Sequence, residues 1–72
     1  MIIDAYAAFL AAHDIEFSRP DPTVLRLQLP QPILVSISPS GIVAVKNGEN
    51  AFWFPFLSIE DMHEKIEKIK SR

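Results

Sequence analysis

The sequence predicts one small α+β domain over residues 1–72, with an N-terminal helix, an antiparallel meander of four to five short strands and a C-terminal helix. Three observations support this fold class. Apolar residues recur at helical spacing near both ends of the chain, they alternate with a period of two in the middle, and Pro and Gly interrupt the alternating region. We expect both helices to cover one face of the sheet, where each buries its apolar stripe.

The first helix is predicted from Ile2 to about His13. Ile2, Tyr6 and Phe9 recur at helical spacing, and the alanines of this segment favour helix. Asp14 follows directly, and Asp adopts the left-handed conformation more readily than most residues. The helix is therefore expected to end there.

Strand periodicity runs from Ile15 to Phe56. It is clearest in two segments, whose apolar residues on one face are Leu25, Leu27, Leu29, Ile33, Val35 and Ile37. Two Pro-x-Pro motifs, at 20–22 and 30–32, are predicted to break strands, because proline donates no hydrogen bond to a neighbouring strand. Turns are expected at 38–41 and 47–48, and Pro55 indicates that the last strand ends there or lies at an edge.

The second helix is predicted to begin after Ser58, with Asp61 three residues later as in a capping box. Leu57 and Met62 are spaced to form a hydrophobic staple around this cap. Acidic residues come early in the segment and basic residues late, which matches the helix dipole. One apolar stripe follows the helix and comprises Ile59, Met62, Ile66 and Ile69.

Composition narrows the function classes. Seven Lys and Arg against nine Asp and Glu give a net charge of −2, which disfavours nucleic acid as a partner. The chain has no cysteine, so disulfides, thiolate metal sites and cysteine nucleophiles are excluded. The N-terminus lacks the pattern of a secretion signal, and no apolar run approaches the ~20 residues that span a bilayer. We therefore expect a cytoplasmic protein.

The sequence carries no pattern typical of catalysis. His13 and His63 have no ligand-like neighbours, and we interpret them as a helix-end histidine and a solvated helix histidine. Both glycines fit turns, so no phosphate-binding loop is indicated, and no nucleophile elbow is present. We predict no catalytic residue, no metal, no cofactor and no small-molecule substrate, and hence no enzyme.

An aromatic segment near the C-terminus is the strongest candidate site. Its residues, predicted to bind protein, are Phe52, Trp53, Phe54 and Phe56. In a strand, Trp53 points away from the three phenylalanines, so one sheet face cannot bury all four. Either Trp53 is exposed or another segment or chain covers it; in the alternative, all four pack beneath the helices. Apolar residues on both faces of some strands also suggest a covered second face; these are Val24, Leu34, Val43 and Val45.

The function favoured by these patterns is a small non-catalytic protein that binds another protein as an inhibitor, adaptor or regulator. A bacterial or phage accessory protein that blocks a host complex is one setting, and a homodimer is a second expectation, because a domain of this length has a marginal core. The alternative is a nucleic-acid-associated module that combines the strand aromatics with a basic helix end, formed by Lys65, Lys68, Lys70 and Arg72. In the competing interpretation this helix end is simply solvated, with Glu64 and Lys68 paired.

Overall fold

The computed structural model describes residues 2–28 and 32–70 and places seven elements there. They are α1 (Ile2–Ala12), β1 (Phe17–Asp21), β2 (Val24–Leu27), β3 (Ile33–Ile37), β4 (Ile42–Asn47), β5 (Asn50–Pro55) and α2 (Ile59–Lys70). The strands form one sheet in chain order, and each neighbouring pair is antiparallel. The predicted α+β class is confirmed: one helix precedes the meander in the chain and one follows it, and the meander has five strands.

Both helices lie on the same face of the sheet. α1 contacts β2, β3 and α2, whereas α2 also contacts β4. The core between the helices and the sheet consists of Ile3, Tyr6, Leu10, Leu25, Leu27, Ile33, Val35, Val43, Val45, Met62, Ile66 and Ile69. Because side chains alternate across a strand, the same register leaves the other residues of β2 to β5 on a face without helices.

The buried stripe of α1 differs from the predicted one. Ile3, Tyr6 and Leu10 are buried, whereas Ile2 and Phe9 are only half-buried at the margin. Leu10 completes a stripe with spacings of three and four residues, and this rotates the helix relative to the prediction. Asp14 ends the helix region with a φ of 55°, in the left-handed region, as expected.

The first Pro-x-Pro motif does not break β1 where the sequence predicted. β1 continues through Pro20 to Asp21, with an irregularity in its pairing to β2 between Ser18 and Asp21. Proline is tolerated because β1 is an edge strand, where one side of the backbone needs no partner. The turn follows at Pro22, and the Asp21 carboxylate accepts hydrogen bonds from the backbone N–H (3.0 Å) and the hydroxyl (2.7 Å) of Thr23. Leu29 and the start of the second motif lie outside the described residues.

Two polar side chains fix the ends of α2. At its start, the backbone N–H of Asp61 donates to Ser58 Oγ at 3.1 Å, which confirms the predicted N-cap. Leu57 is 68% exposed, so the predicted staple does not bury it against Met62. At the other end, the buried Asn47 of β4 donates from Nδ2 to the carbonyl of Ile69 at 3.2 Å.

Candidate functional site: the open face of the sheet

The face of the sheet opposite the helices, here called the open face, is built from alternate residues of β2 to β5. One row across it pairs Val24 with Ser36, Ser36 with Ala44 and Ala44 with Trp53. The adjacent row consists of Arg26, Leu34, Lys46 and Ala51. Strand register alone therefore gathers side chains from four strands on this surface.

Trp53 dominates the open face. Its side chain is 67% exposed, while the neighbouring Val24, Leu34 and Ala44 are half-buried. The small Ala44 and Ser36 beside it leave a shallow depression of about 280 Å³ with an almost wholly apolar lining, which Val24, Leu34 and Trp53 help to form. An exposed tryptophan next to an apolar depression is typical of the centre of a protein-binding surface.

Two cations, Arg26 and Lys46, flank the apolar centre. They lie in one row on either side of Leu34. Across residues 2–28 and 32–70, neither forms an ion pair. Since the chain as a whole is acidic, the open face differs in charge from the rest of the surface. A docked group with carboxylates would complement it.

The structure does not bring the four predicted aromatic residues together on one surface. Phe52, Phe54 and Phe56 are half-buried and pack against the core on the helix side, whereas Trp53 points to the open face. Lys65 of α2 lies over the ring of Phe54, with Nζ 5.1 Å from the centroid. Val43 and Val45 of β4, which the sequence suggested for a covered second face, belong instead to the buried core. The open-face residues of this strand are Ile42, Ala44 and Lys46.

The basic residues at the end of α2 have acidic neighbours on the same helix. Lys65 pairs with Asp61 (2.9 Å), Lys68 with Glu64 (3.5 Å) and Lys70 with Glu67 (3.4 Å). Arg72 lies outside the described residues. The expected Glu64–Lys68 pair is thus present, and the positive charge of this helix end is partly compensated.

A polar cluster of Tyr6, His63 and Glu67 lies between the helices and was not predicted from the sequence. The prediction that His63 is solvated is wrong. Its side chain is 19% exposed, and its Nδ1 lies 3.0 Å from the hydroxyl of the buried Tyr6. Nε2 lies 3.3 Å from Glu67 Oε1. Because a carboxylate only accepts, the imidazole proton belongs on Nε2, and Nδ1 accepts from the Tyr6 hydroxyl. No sequence spacing signals a contact between residues that are 57 positions apart.

The electrostatics of this cluster favour a structural role. Burial lowers the pKa of His63, against the opposing effect of the Glu67 carboxylate. Burial, with Glu67 adding to it, raises the pKa of Tyr6, so its hydroxyl stays protonated. A protonated, buried phenol is a poor nucleophile. The cluster joins α1 to α2 through the Tyr6–His63 hydrogen bond.

Among the described residues, no three His, Asp or Glu side chains converge into a metal-binding group. None of the helices in this part of the chain is long and apolar enough to cross a membrane. Comparison of the chain with protein-family models, with curated proteins and with solved structures finds no match.

Proposed function

We propose that this chain is a non-catalytic cytoplasmic protein that docks another protein on its open face and acts as an inhibitor, adaptor or regulator. The observation that carries the proposal is Trp53, which is 67% exposed and borders an apolar depression of the open face. Exposing a large aromatic side chain to water gives up the free energy of its burial, and a partner that covers it recovers this free energy.

The chemistry of the partner follows from the surroundings of Trp53. The depression beside the indole, between Val24 and Leu34, accepts an apolar side chain. Arg26 and Lys46 at its margin favour carboxylates on the docked surface. The preferred partner is thus a protein segment that carries an apolar anchor next to acidic residues. A single exposed aromatic residue with two cations is a small surface for stacking several bases, so protein is favoured over nucleic acid.

The test is retention of a partner from an extract of the source cells on the immobilised chain. We expect wild type to retain a protein that Trp53→Ala loses. The Arg26→Glu/Lys46→Glu double variant should lose it as well, because it reverses the charge of the open face. Leu57→Ala is the matched control, since Leu57 is equally exposed but lies beyond the end of β5. Equal retention by Trp53→Ala and wild type would contradict the proposal.

A further inference from the structure

The outer edge of β5 presents backbone groups that pair with no other strand in residues 2–28 and 32–70. β5 is the last strand of the sheet and pairs with β4 on one side. Asn47 pairs with Asn50 around a two-residue turn, and the N–H of Phe56 donates to the carbonyl of Gly41 at 2.8 Å. Amide direction alternates along a strand, so the N–H groups of Ala51 and Trp53 and the carbonyl of Pro55 point away from β4.

The two edges of the sheet differ in how well they accept another strand. β1 contains Pro20 and an irregularity between Ser18 and Asp21, and such features hinder edge-to-edge pairing. β5 keeps a regular register with β4 over all six of its residues. Its only proline, Pro55, stands at its end. β5 is therefore the edge suited to strand addition.

We propose that two copies of this chain pair through their β5 strands, antiparallel, with Trp53 opposite Trp53 of the second copy. The two Trp53 residues then exchange both of their backbone hydrogen bonds. Each Ala51 N–H donates to the carbonyl of Pro55 in the other copy. Because proline has no N–H, Pro55 donates nothing to the Ala51 carbonyl, and each Ala51–Pro55 pair has one hydrogen bond instead of two.

The same register covers the aromatic residues on the helix side. It places Phe52 of one copy opposite Phe54 of the other, and cross-strand aromatic pairs stabilise sheets. In one copy these half-buried rings line a depression of about 210 Å³ at the β5 edge, beneath Lys65 and Lys68 of α2. Pairing with a second copy fills this depression with phenylalanine side chains.

The charge distribution of α2 indicates a second copy as the occupant of this edge. The first half of the helix carries Glu60, Asp61 and Glu64, whereas the second half carries three lysines, Lys65, Lys68 and Lys70, and one acid, Glu67. A two-fold axis at Trp53 makes the two α2 helices antiparallel. The acidic half of one then opposes the basic half of the other, so the surface is self-complementary. The two open faces then lie side by side on one face of the joined sheet, and the inference does not rest on the proposed function.

The first test is the mass of the chain in solution over a concentration series, by sedimentation equilibrium. We expect wild type to approach twice its mass of 8.1 kDa as concentration rises. Ala51→Pro removes an outward N–H from each copy without affecting the pairing with β4, and should raise the dissociation constant about tenfold or more. Ala51→Ser keeps the N–H and is the matched control, with wild-type association.

The second test reads the register directly and does not depend on weakening the dimer. The chain has no cysteine, so Ala51→Cys and Pro55→Cys each introduce a single thiol. Under mild oxidation we expect a disulfide in the mixture of the two variants and little in either variant alone, because residue 51 lies opposite residue 55 and far from its own copy. A mass of 8.1 kDa at every concentration, or equal cross-linking in all three samples, would overturn the inference. Neither result would affect retention of a separate partner through Trp53.

Discussion

The two faces of the sheet are made by the same strands but differ in burial. On the helix side, Leu25, Val35 and Val45 are at most 1% exposed. On the open face, Val24, Leu34 and Ala44 stay half-buried around an exposed Trp53. The apolar content of a strand therefore does not by itself determine which side chains are buried. Burial also requires a second layer, and α1 and α2 form that layer on one side.

The apolar residues of the open face consequently contribute less to the stability of this fold than those of the helix side. If the open face serves binding, substitutions there should affect association more than stability, and substitutions on the helix side should do the reverse. The four predictions below test this difference, from the largest expected effect on stability to the smallest.

The largest effect is expected for Leu27→Ala. Leu27 is fully buried under the helices, and removing its side chain should cost about 2–5 kcal/mol of the free energy of unfolding. The matched open-face variant is Leu34→Ala, which removes the same atoms from a half-buried position in the next strand and should cost about 1 kcal/mol. Urea denaturation followed by circular dichroism measures both. Similar losses for the two variants would mean that the open face is covered in solution.

A smaller effect is expected for Asn47→Ala on the helix side. Asn47 is 8% exposed and donates to the last turn of α2, so its loss leaves the carbonyl of Ile69 without this donor. We expect a cost of about 1 kcal/mol. Asn50→Ala is the control, because Asn50 lies opposite Asn47 but is exposed, and it should change the stability by less than about 0.5 kcal/mol. Equal unfolding midpoints for the two variants would contradict a stabilising role of the hydrogen bond from Asn47 to the Ile69 carbonyl.

The His63 cluster predicts a pH dependence of stability. The folded-state pKa lies below the ordinary 6.5, mainly through burial, with Glu67 opposing and Lys70 and His13 adding to the decrease. Between the folded and unfolded pKa values, the unfolded chain binds more protons. The contribution of His63 to the free energy of unfolding is therefore fully present above pH 6.5 and decreases as the pH falls below 6.5. Below the folded-state pKa it no longer changes.

Urea midpoints of wild type and His63→Gln between pH 7.5 and 5 measure this term. The decrease should be present in wild type and absent from His63→Gln, and a decrease of the same size in both would assign it to other groups. The carboxylates of Asp4, beside Arg19, and Asp21, bonded to Thr23, have lowered pKa values. Their contributions are lost only as pH falls below about 3.8, outside this window.

The smallest effect on stability is expected for Trp53→Ala, although tryptophan is the largest side chain in the chain. Trp53 is mostly exposed, so the free energy of unfolding of the monomer should change by less than about 0.5 kcal/mol. Phe54→Ala, its neighbour on the helix side, should cost more because its ring packs against the core. A large loss for Trp53→Ala in dilute solution would place the indole in the core and remove the basis of the proposed binding surface.

Much of the fold follows from local patterns in the sequence. The change from helical to strand periodicity locates the elements, and Ser58 and Asp14 mark helix boundaries through their own backbone chemistry. The alternation also places Trp53 on the opposite face from Phe52 and Phe54. Each of these features depends on residues a few positions apart, which is the range that a sequence pattern encodes.

The candidate site could be predicted only in part. The sequence indicated Trp53, Val24 and Leu34 for the second face, but it also suggested Val43 and Val45, which are buried in the core. This error arose because β4 is apolar on both faces, and a shift of one residue exchanges Val43 and Val45 with Ile42 and Ala44. Arg26, Leu34 and Lys46 come to lie in one row only through the register of three strands, β2, β3 and β4. The length of β1 was misjudged for a related reason, since only the position of β1 at the sheet edge makes Pro20 acceptable.

The sequence by itself thus determined the order and type of the elements, the helix caps and the side of β5 from which Trp53 projects. Only the tertiary structure decided that α2 lies against β4, that His63 meets Tyr6, and that no helix of the described residues covers the opposite face. The physical reason is the range of the interactions. Backbone geometry and periodicity act over one or two turns, whereas burial and charge pairing depend on which distant segments pack against each other.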